Sequence, residues 1–311
     1  MITRRASFVM QLLGEPAGRI APVNELVNTL EFEEMARRSL APSTFAEVAG
    51  TDPKAFDKIT FRYRMRDVRA LDLSLELFGE KLFAPILVGP AALQGRFHAD
   101  GELAAVRGAS AGKAAVVVAA KTSVALDKIA VEAKTPLFAQ VDSAEAAVSA
   151  AKLGCRALFY TLGDWAGFDA VRKAVSIPVV VKGIMQAEDA ANAISRGAAG
   201  VVVSNYRASL PGGVATTIEA LPSVASVVAG RVPVFADGSF RRGTDILKAL
   251  ALGARAVLVT RPVLWGLSAY GDKGVQQVVE MLQSELARSM AMCGTVNLAA
   301  ITRAAIRIHS R

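Results

Sequence analysis

The sequence predicts an α/β fold, a (β/α)8 barrel of the TIM type with an N-terminal helical extension, on three observations. Short apolar, β-branched runs recur with helix-length amphipathic segments between them, the alternation of buried parallel strands and crossover helices. Eight such runs are present, the number that closes a ring. The last two runs each lead into a turn carrying arginine, and one of these turns is also rich in glycine. That marks one end of the ring as a place for an anion.

Residues 1–80 read as an extension that caps the barrel, and residues 81–311 as the barrel itself. Within the extension, Leu30-Glu31-Phe32-Glu33-Glu34-Met35-Ala36 has helical spacing. Pro42-Ser43 reads as a restart, because proline is tolerated in the first turn of a helix. Residues 67–77 alternate like a strand. The barrel strands are expected at 85–88, 115–119, 137–141, 157–161, 178–182, 200–204, 233–236 and 256–259. Amphipathic segments at 102–110, 123–133, 144–153, 168–175, 188–196, 218–228 and 244–252 are each long enough for one crossover helix.

Composition narrows the class. A chain of 311 residues with 52% hydrophobic content can bury a large core, and residues 85–311 approach the roughly 250-residue size of such barrels. Only Cys155 and Cys293 are present, so no disulfide framework is implied, and their spacing suits no metal site. The net charge of +8 is spread along the chain without an aromatic-interleaved basic motif, which argues against a nucleic-acid partner. An anionic cofactor and solvated faces account for it. The N-terminal Arg4-Arg5 pair faintly resembles a twin-arginine export signal, but the apolar stretch stops at Leu13 and no clean cleavage site follows. A cytoplasmic location, with no membrane span, is expected.

The most informative stretch is Asp237-Gly238-Ser239-Phe240-Arg241-Arg242-Gly243-Thr244-Asp245, followed by the strand at 256–259 and then Thr260-Arg261-Pro262. It reads as a phosphate cradle, in which backbone N–H groups, two helix N-termini and fixed positive charge surround one point. No GxGxxG-type fingerprint occurs, so a mononucleotide fits better than a dinucleotide.

With these turns in place, the chain resembles the FMN-dependent 2-hydroxy-acid oxidase and dehydrogenase family, from about Val23 to Met292. The most specific match is DGSFRRGTDILKALALGA at 237–254, which departs from the family's glycine at Ser239. PILVGPAALQ at 85–94 and HADGE at 98–102 support it. The resemblance implies FMN as cofactor, bound by Pro90, Ala91, Ala92, Gln140, Thr161, Lys182, Ser204, Asp237, Gly238, Ser239, Arg241, Thr260 and Arg261. Lys182 would stabilise charge on the reduced ring, and Asp237, Gly238, Arg241 and Arg261 would hold the ribityl chain and phosphate. It also implies a small-molecule substrate, a separate electron acceptor and a homo-oligomer.

The substrate side departs from the family. Its sixth-strand motif aligns without a gap to residues 204–218, which puts Tyr206 at the catalytic histidine and Ser209 at the arginine that clamps the substrate carboxylate. A histidine titrates near 6.5 and can be a base at neutral pH, whereas an unperturbed tyrosine at about 10 is protonated there. At the third strand a substrate-binding tyrosine becomes Asp142, which repels a carboxylate, and the serine after the second strand becomes Ala120. The family's N-terminal substrate tyrosine falls near Glu47, and the long loop after the fourth strand is almost deleted. His98 reads as an anchor ahead of the first helix, His309 lies in the C-terminal tail, and Arg207 reads as a loop cation. Three functions stay open: an oxidoreductase with an altered substrate site using Tyr206 and Lys182, a catalytically impaired FMN-binding or interaction protein, and a flavin-assisted isomerase. No metal is expected.

Overall fold

The computed structural model describes residues 18–50, 54–64, 68, 70–206 and 216–309. Eight parallel strands close a barrel in sequence order: β1 (Ile86–Val88), β2 (Ala115–Val118), β3 (Leu137–Val141), β4 (Leu158–Thr161), β5 (Val179–Ile184), β6 (Gly200–Val203), β7 (Val234–Asp237) and β8 (Ala256–Val259). β8 returns to β1 with Val257 opposite Ile86. A helix follows each strand: α1 (Gly101–Ala111), α2 (Leu126–Glu132), α3 (Ala144–Lys152), α4 (Trp165–Ala174), α5 (Ala187–Ser195), α6 (Thr217–Val228), α7 (Gly243–Ala251) and α8 (Arg261–Met292).

The strands are apolar on both faces because both are covered, and their residues alternate between two cores. Leu87, Val117, Phe138, Phe159, Val180, Val202, Phe235 and Leu258 point into the barrel and form one cluster. Their neighbours Val88, Val118, Ala139, Tyr160, Val181, Val203, Ala236 and Val259 face the helices in the other. A period of two inside a strand enforces this division. The barrel centre is filled by rings: Phe159 lies 6.0 Å from Phe138 and 5.7 Å from Phe235 between centroids.

The N-terminal end of the barrel is plugged by a hairpin, Leu75–Leu77 with Glu80–Leu82. Its Leu75, Leu77 and Leu82 join the interior cluster, and Phe78 in the turn meets Phe138 edge-on at 6.1 Å. Arg156, just before β4, pairs with Glu80 at 2.9 Å and fixes the hairpin to that end. The alternation expected over 67–77 is therefore strand only at its last three residues among those described.

Two expected helices are present as Thr29–Ser39 and Pro42–Val48. Asn28 caps the first by accepting from the Leu30 N–H. These helices pack against α8, where the Trp265 indole donates to the Val48 carbonyl at 2.8 Å and the Tyr270 hydroxyl to that of Ala21 at 2.6 Å. A short strand, Ile59–Phe61, pairs antiparallel with Ile306–Ile308, joining the two ends of the described chain. The Arg4-Arg5 segment lies outside the described residues.

Candidate functional site

The C-terminal rim of the barrel follows from the same alternation. In six of the eight strands a polar residue lies two beyond the interior core position: Gln140 after Phe138, Thr161 after Phe159, Lys182 after Val180, Ser204 after Val202, Asp237 after Phe235 and Thr260 after Leu258. All six are residues that the sequence assigns to the cofactor, and the barrel gathers them at one end. Active sites of such barrels sit at this end.

Lys182 is the centre of the cluster. It is 3% exposed, and its ammonium donates to Ser204 Oγ at 2.6 Å and forms a short ion pair with Asp237 Oδ2. Ser204 donates to the same carboxylate oxygen at 2.9 Å. A buried cation therefore sits in a fixed place with its charge balanced from one side. Gly183, at φ +107, allows the bulge that lets β5 continue to Ile184 beyond the lysine. On the neighbouring strands, Gln140 Nε2 donates to Thr161 Oγ1 at 2.5 Å, and Thr161 lies opposite Lys182 in the strand register.

Tyr206 has the same parity as Val202 and Ser204, one step further out. Its ring lies 5.2 Å from the Lys182 ammonium, and the side chain is 65% exposed, the only aromatic among the described residues placed over that cation. Asp142 lies two residues beyond Gln140 and is exposed. Ser209, Arg207 and the rest of 207–215 lie outside the described residues.

The phosphate turns carry a different kind of signal. Arg241 is 4% exposed, its Nη1 donates to the Phe240 carbonyl at 3.0 Å, and its guanidinium lies 4.8 Å from the Trp265 ring centroid. Its Nη2 is buried without a hydrogen-bond partner. Burial, together with the charge of Arg261 nearby, pushes the guanidinium down to about 10. A buried donor lacking an acceptor, facing a second cation, is the arrangement that a phosphate satisfies. Gly238 at φ +88 and Ser239 at φ +60 both turn the chain through the left-handed region just ahead of it.

One expectation changes here. The N-terminus of α7 was to point at the anion, but the Gly243 N–H donates to Glu285 Oε2 at 2.7 Å, and Asp245 accepts from the N–H groups of Arg241 and Arg242 at 3.0 and 2.9 Å. Protein carboxylates already occupy that helix end. Arg242 points the same way, its Nε 2.8 Å from Glu285 Oε1. Of the expected phosphate contacts, this leaves Arg241, Arg261 and the turn backbone.

Neither histidine is among the rim residues. His98 accepts the Asp100 N–H at 3.1 Å and packs on Gly271, where α8 kinks, while His309 Nε2 lies 2.7 Å from Thr60 Oγ1 beside the terminal strand pair. Sequence reasoning missed Trp265, which supports Arg241. Its signal is the spacing of four from Arg261, one helical turn.

Comparison with known proteins decides the family. A model described as FMN-dependent dehydrogenase matches residues 46–162 and 143–308. The chain belongs to this family. Its cofactor is FMN, and it is an oxidoreductase by class. Glycolate oxidase 1 of Oryza sativa subsp. indica is 32% identical over 355 aligned positions, covering 91% of this chain and 96% of the relative. 2-Hydroxyacid oxidase 1 of Mus musculus is 30% identical with the same coverage. A crystal structure of mandelate oxidase with (S)-2-phenylpropionate superposes with a TM-score of 0.87 at 30% identity, covering 92% of this chain and all of that one. A flavocytochrome B2 variant gives 0.88 at 26% identity, covering 93% and 88%. The two matched stretches meet around β4, where only Leu162–Asp164 separate the strand from α4.

Proposed function

We propose that this chain is an FMN-dependent oxidoreductase whose substrate is a small molecule other than a simple 2-hydroxy acid. The observation that supports this best is the buried Lys182–Ser204–Asp237 cluster with Tyr206, not histidine, over the ammonium. FMN, when bound, accepts two electrons from a substrate carbon. Arg241 and Arg261 would hold its phosphate, and Gln140, Thr161, Ser204 and Thr260 offer hydrogen bonds along the rim. Lys182 supplies a fixed positive charge that favours negative charge beside it. Its own carboxylate partner moderates that effect.

At the substrate side Tyr206 offers a phenol O–H that donates or accepts one hydrogen bond. Asp142 repels a carboxylate approaching that rim, and Ser209 lacks the planar fork with which an arginine holds one. Both changes disfavour the anionic substrates that the names of the relatives imply.

The experiment is anaerobic flavin bleaching. Glycolate, lactate and mandelate should reduce wild-type FMN very slowly, since general base catalysis alone contributes about 10²- to 10⁴-fold. Installing Tyr206→His, Ser209→Arg and Asp142→Asn together should raise the rate by more than the product of the separate changes, because base and clamp act on one bound substrate. Wild-type reduction by any of these acids at the rate of an ordinary oxidase refutes the proposal. Turnover of a substrate without net redox change would favour the isomerase instead.

A further inference from the structure

A single buried carboxylate fastens the first two βα-loops of the barrel to each other. Glu102, near the start of α1, accepts at Oε1 from the N–H of Gln94 at 2.9 Å and from that of Ser123 at 3.0 Å. The loops meet again where the Gly95 N–H donates to Ser123 Oγ at 2.8 Å and the Leu93 N–H to the Lys121 carbonyl at 3.1 Å. Gln94 then reaches back, its Nε2 donating to the Ala91 carbonyl at 3.3 Å. The contacts therefore run from Glu102 to the segment Pro90–Ala92.

That segment belongs to the cofactor rim. Gly89 and Ala91 continue the interior parity of Leu87, and a Cβ on Gly89 would stand only 2.3 Å from Thr260 Oγ1. The first loop and the turn after β8 are thus in direct contact, with no room for a side chain between them.

The arrangement is costly for a merely structural one. Glu102 is 2% exposed and Gln94 6% exposed, yet Glu102 Oε2 and Gln94 Oε1 are both buried without a hydrogen-bond partner. Leu93, between Ala92 and Gln94, holds φ +51 without being glycine. Unsatisfied buried acceptors and left-handed backbone both cost stability, and a neutral or apolar filling would avoid the buried charge. Strain and unmet polar atoms gathered in one short segment point to a functional demand on it.

We propose that Glu102 is a positioning residue for bound FMN. It holds the Pro90–Ala92 segment in the conformation the cofactor meets, and it places a negative charge behind that segment which opposes electron uptake. The inference rests on FMN occupying the rim described above.

Glu102→Gln tests the charge and Glu102→Ala the clamp, both in the full chain loaded with FMN. The glutamine keeps an acceptor for the two N–H groups, so the clamp between the loops is retained. Its FMN should bind within about threefold of the wild-type affinity and show a higher reduction potential, since a neighbouring negative charge has been removed. Glu102→Ala should bind FMN at least tenfold more weakly in a fluorescence titration. An unchanged potential in Glu102→Gln, or unchanged affinity in Glu102→Ala, overturns the inference. If the alanine variant is insoluble, the potential of the glutamine variant decides alone. Wild-type protein that fails to bind FMN would instead count against the cofactor site as a whole.

Discussion

Replacing Arg241 by methionine separates its role toward the cofactor from its role in the fold. The guanidinium is buried, and burial with the repulsion of Arg261 lowers its pKa well below the ordinary arginine range, to about 10. At about 1.4 kcal/mol per unit, keeping it charged costs the ligand-free fold on the order of 3 kcal/mol. Against that stand its hydrogen bond to the Phe240 carbonyl and its stacking on Trp265, together on the order of 2 to 3 kcal/mol. A methionine of similar length removes the cost and both contacts. The ligand-free variant should therefore melt near the wild type.

FMN affinity should respond differently. Nη2 has no hydrogen-bond partner among the described residues, so a phosphate oxygen would gain a charge-assisted bond without displacing another. Such bonds contribute about 1.5 to 3 kcal/mol each, and one or two of them translate to a loss of roughly 10²- to 10³-fold in affinity. Isothermal titration with FMN and melting of the ligand-free protein measure the two quantities separately. A variant that melts far below wild type while binding FMN equally well would refute the reasoning, because it would place Arg241 in the scaffold and not in the phosphate site.

Three further outcomes follow from individual geometries. Ser239 holds φ +60 where the family has glycine, so Ser239→Gly should stabilise the protein by about 1 kcal/mol, checked by urea denaturation; a loss of stability would show that the contacts of the serine outweigh its backbone strain. Lys182→Met leaves the Asp237 carboxylate, whose side chain is 15% exposed, without its cation, and should cost the ligand-free fold about 3 kcal/mol while lowering the potential of bound FMN; equal potentials would remove Lys182 from the flavin's surroundings. Burial pushes the Cys155 thiol up to about 11 from its ordinary value of 9.0, so between those pH values the unfolded chain loses a proton that the folded one keeps. Stability from this group is complete below pH 9 and falls as pH rises toward 11, by up to about 3 kcal/mol, and Cys155→Ala should flatten that decline in urea titrations.

The barrel was legible because parallel strands buried on both faces read as unbroken apolar runs, and all eight were placed to within a residue or two. The largest difference is at β5, expected to end at Lys182. Gly183 looks like a stop in sequence, but here it is a bulge within a strand that runs to Ile184. What sequence could not supply was non-local. The strand Ile59–Phe61 finds its partner at Ile306–Ile308, and the carboxylate that caps α7 comes from Glu285, a turn of α8 about forty residues later. No local pattern announces either contact. Glu102 was visible only as the last residue of a matching motif, since its two N–H donors arise from different loops.

The rim residues differ in how firmly the fold holds them, and the strand period is the physical basis of that difference. Gln140, Lys182, Ser204 and Asp237 each stand one inward step beyond a core residue that packs in the barrel centre. Moving any of them requires moving Phe138, Val180, Val202 or Phe235, and with them the ring contacts that fill the barrel. Asp142 and Tyr206 stand two inward steps out, beyond the last paired residues of β3 and β6, and both are exposed. A substitution there disturbs no interior packing and costs little stability. Gln140, Lys182, Ser204 and Asp237 are therefore tied to the fold, whereas Asp142 and Tyr206 are not. Tyr206 and Asp142 can therefore vary while the buried Lys182–Ser204–Asp237 cluster stays intact.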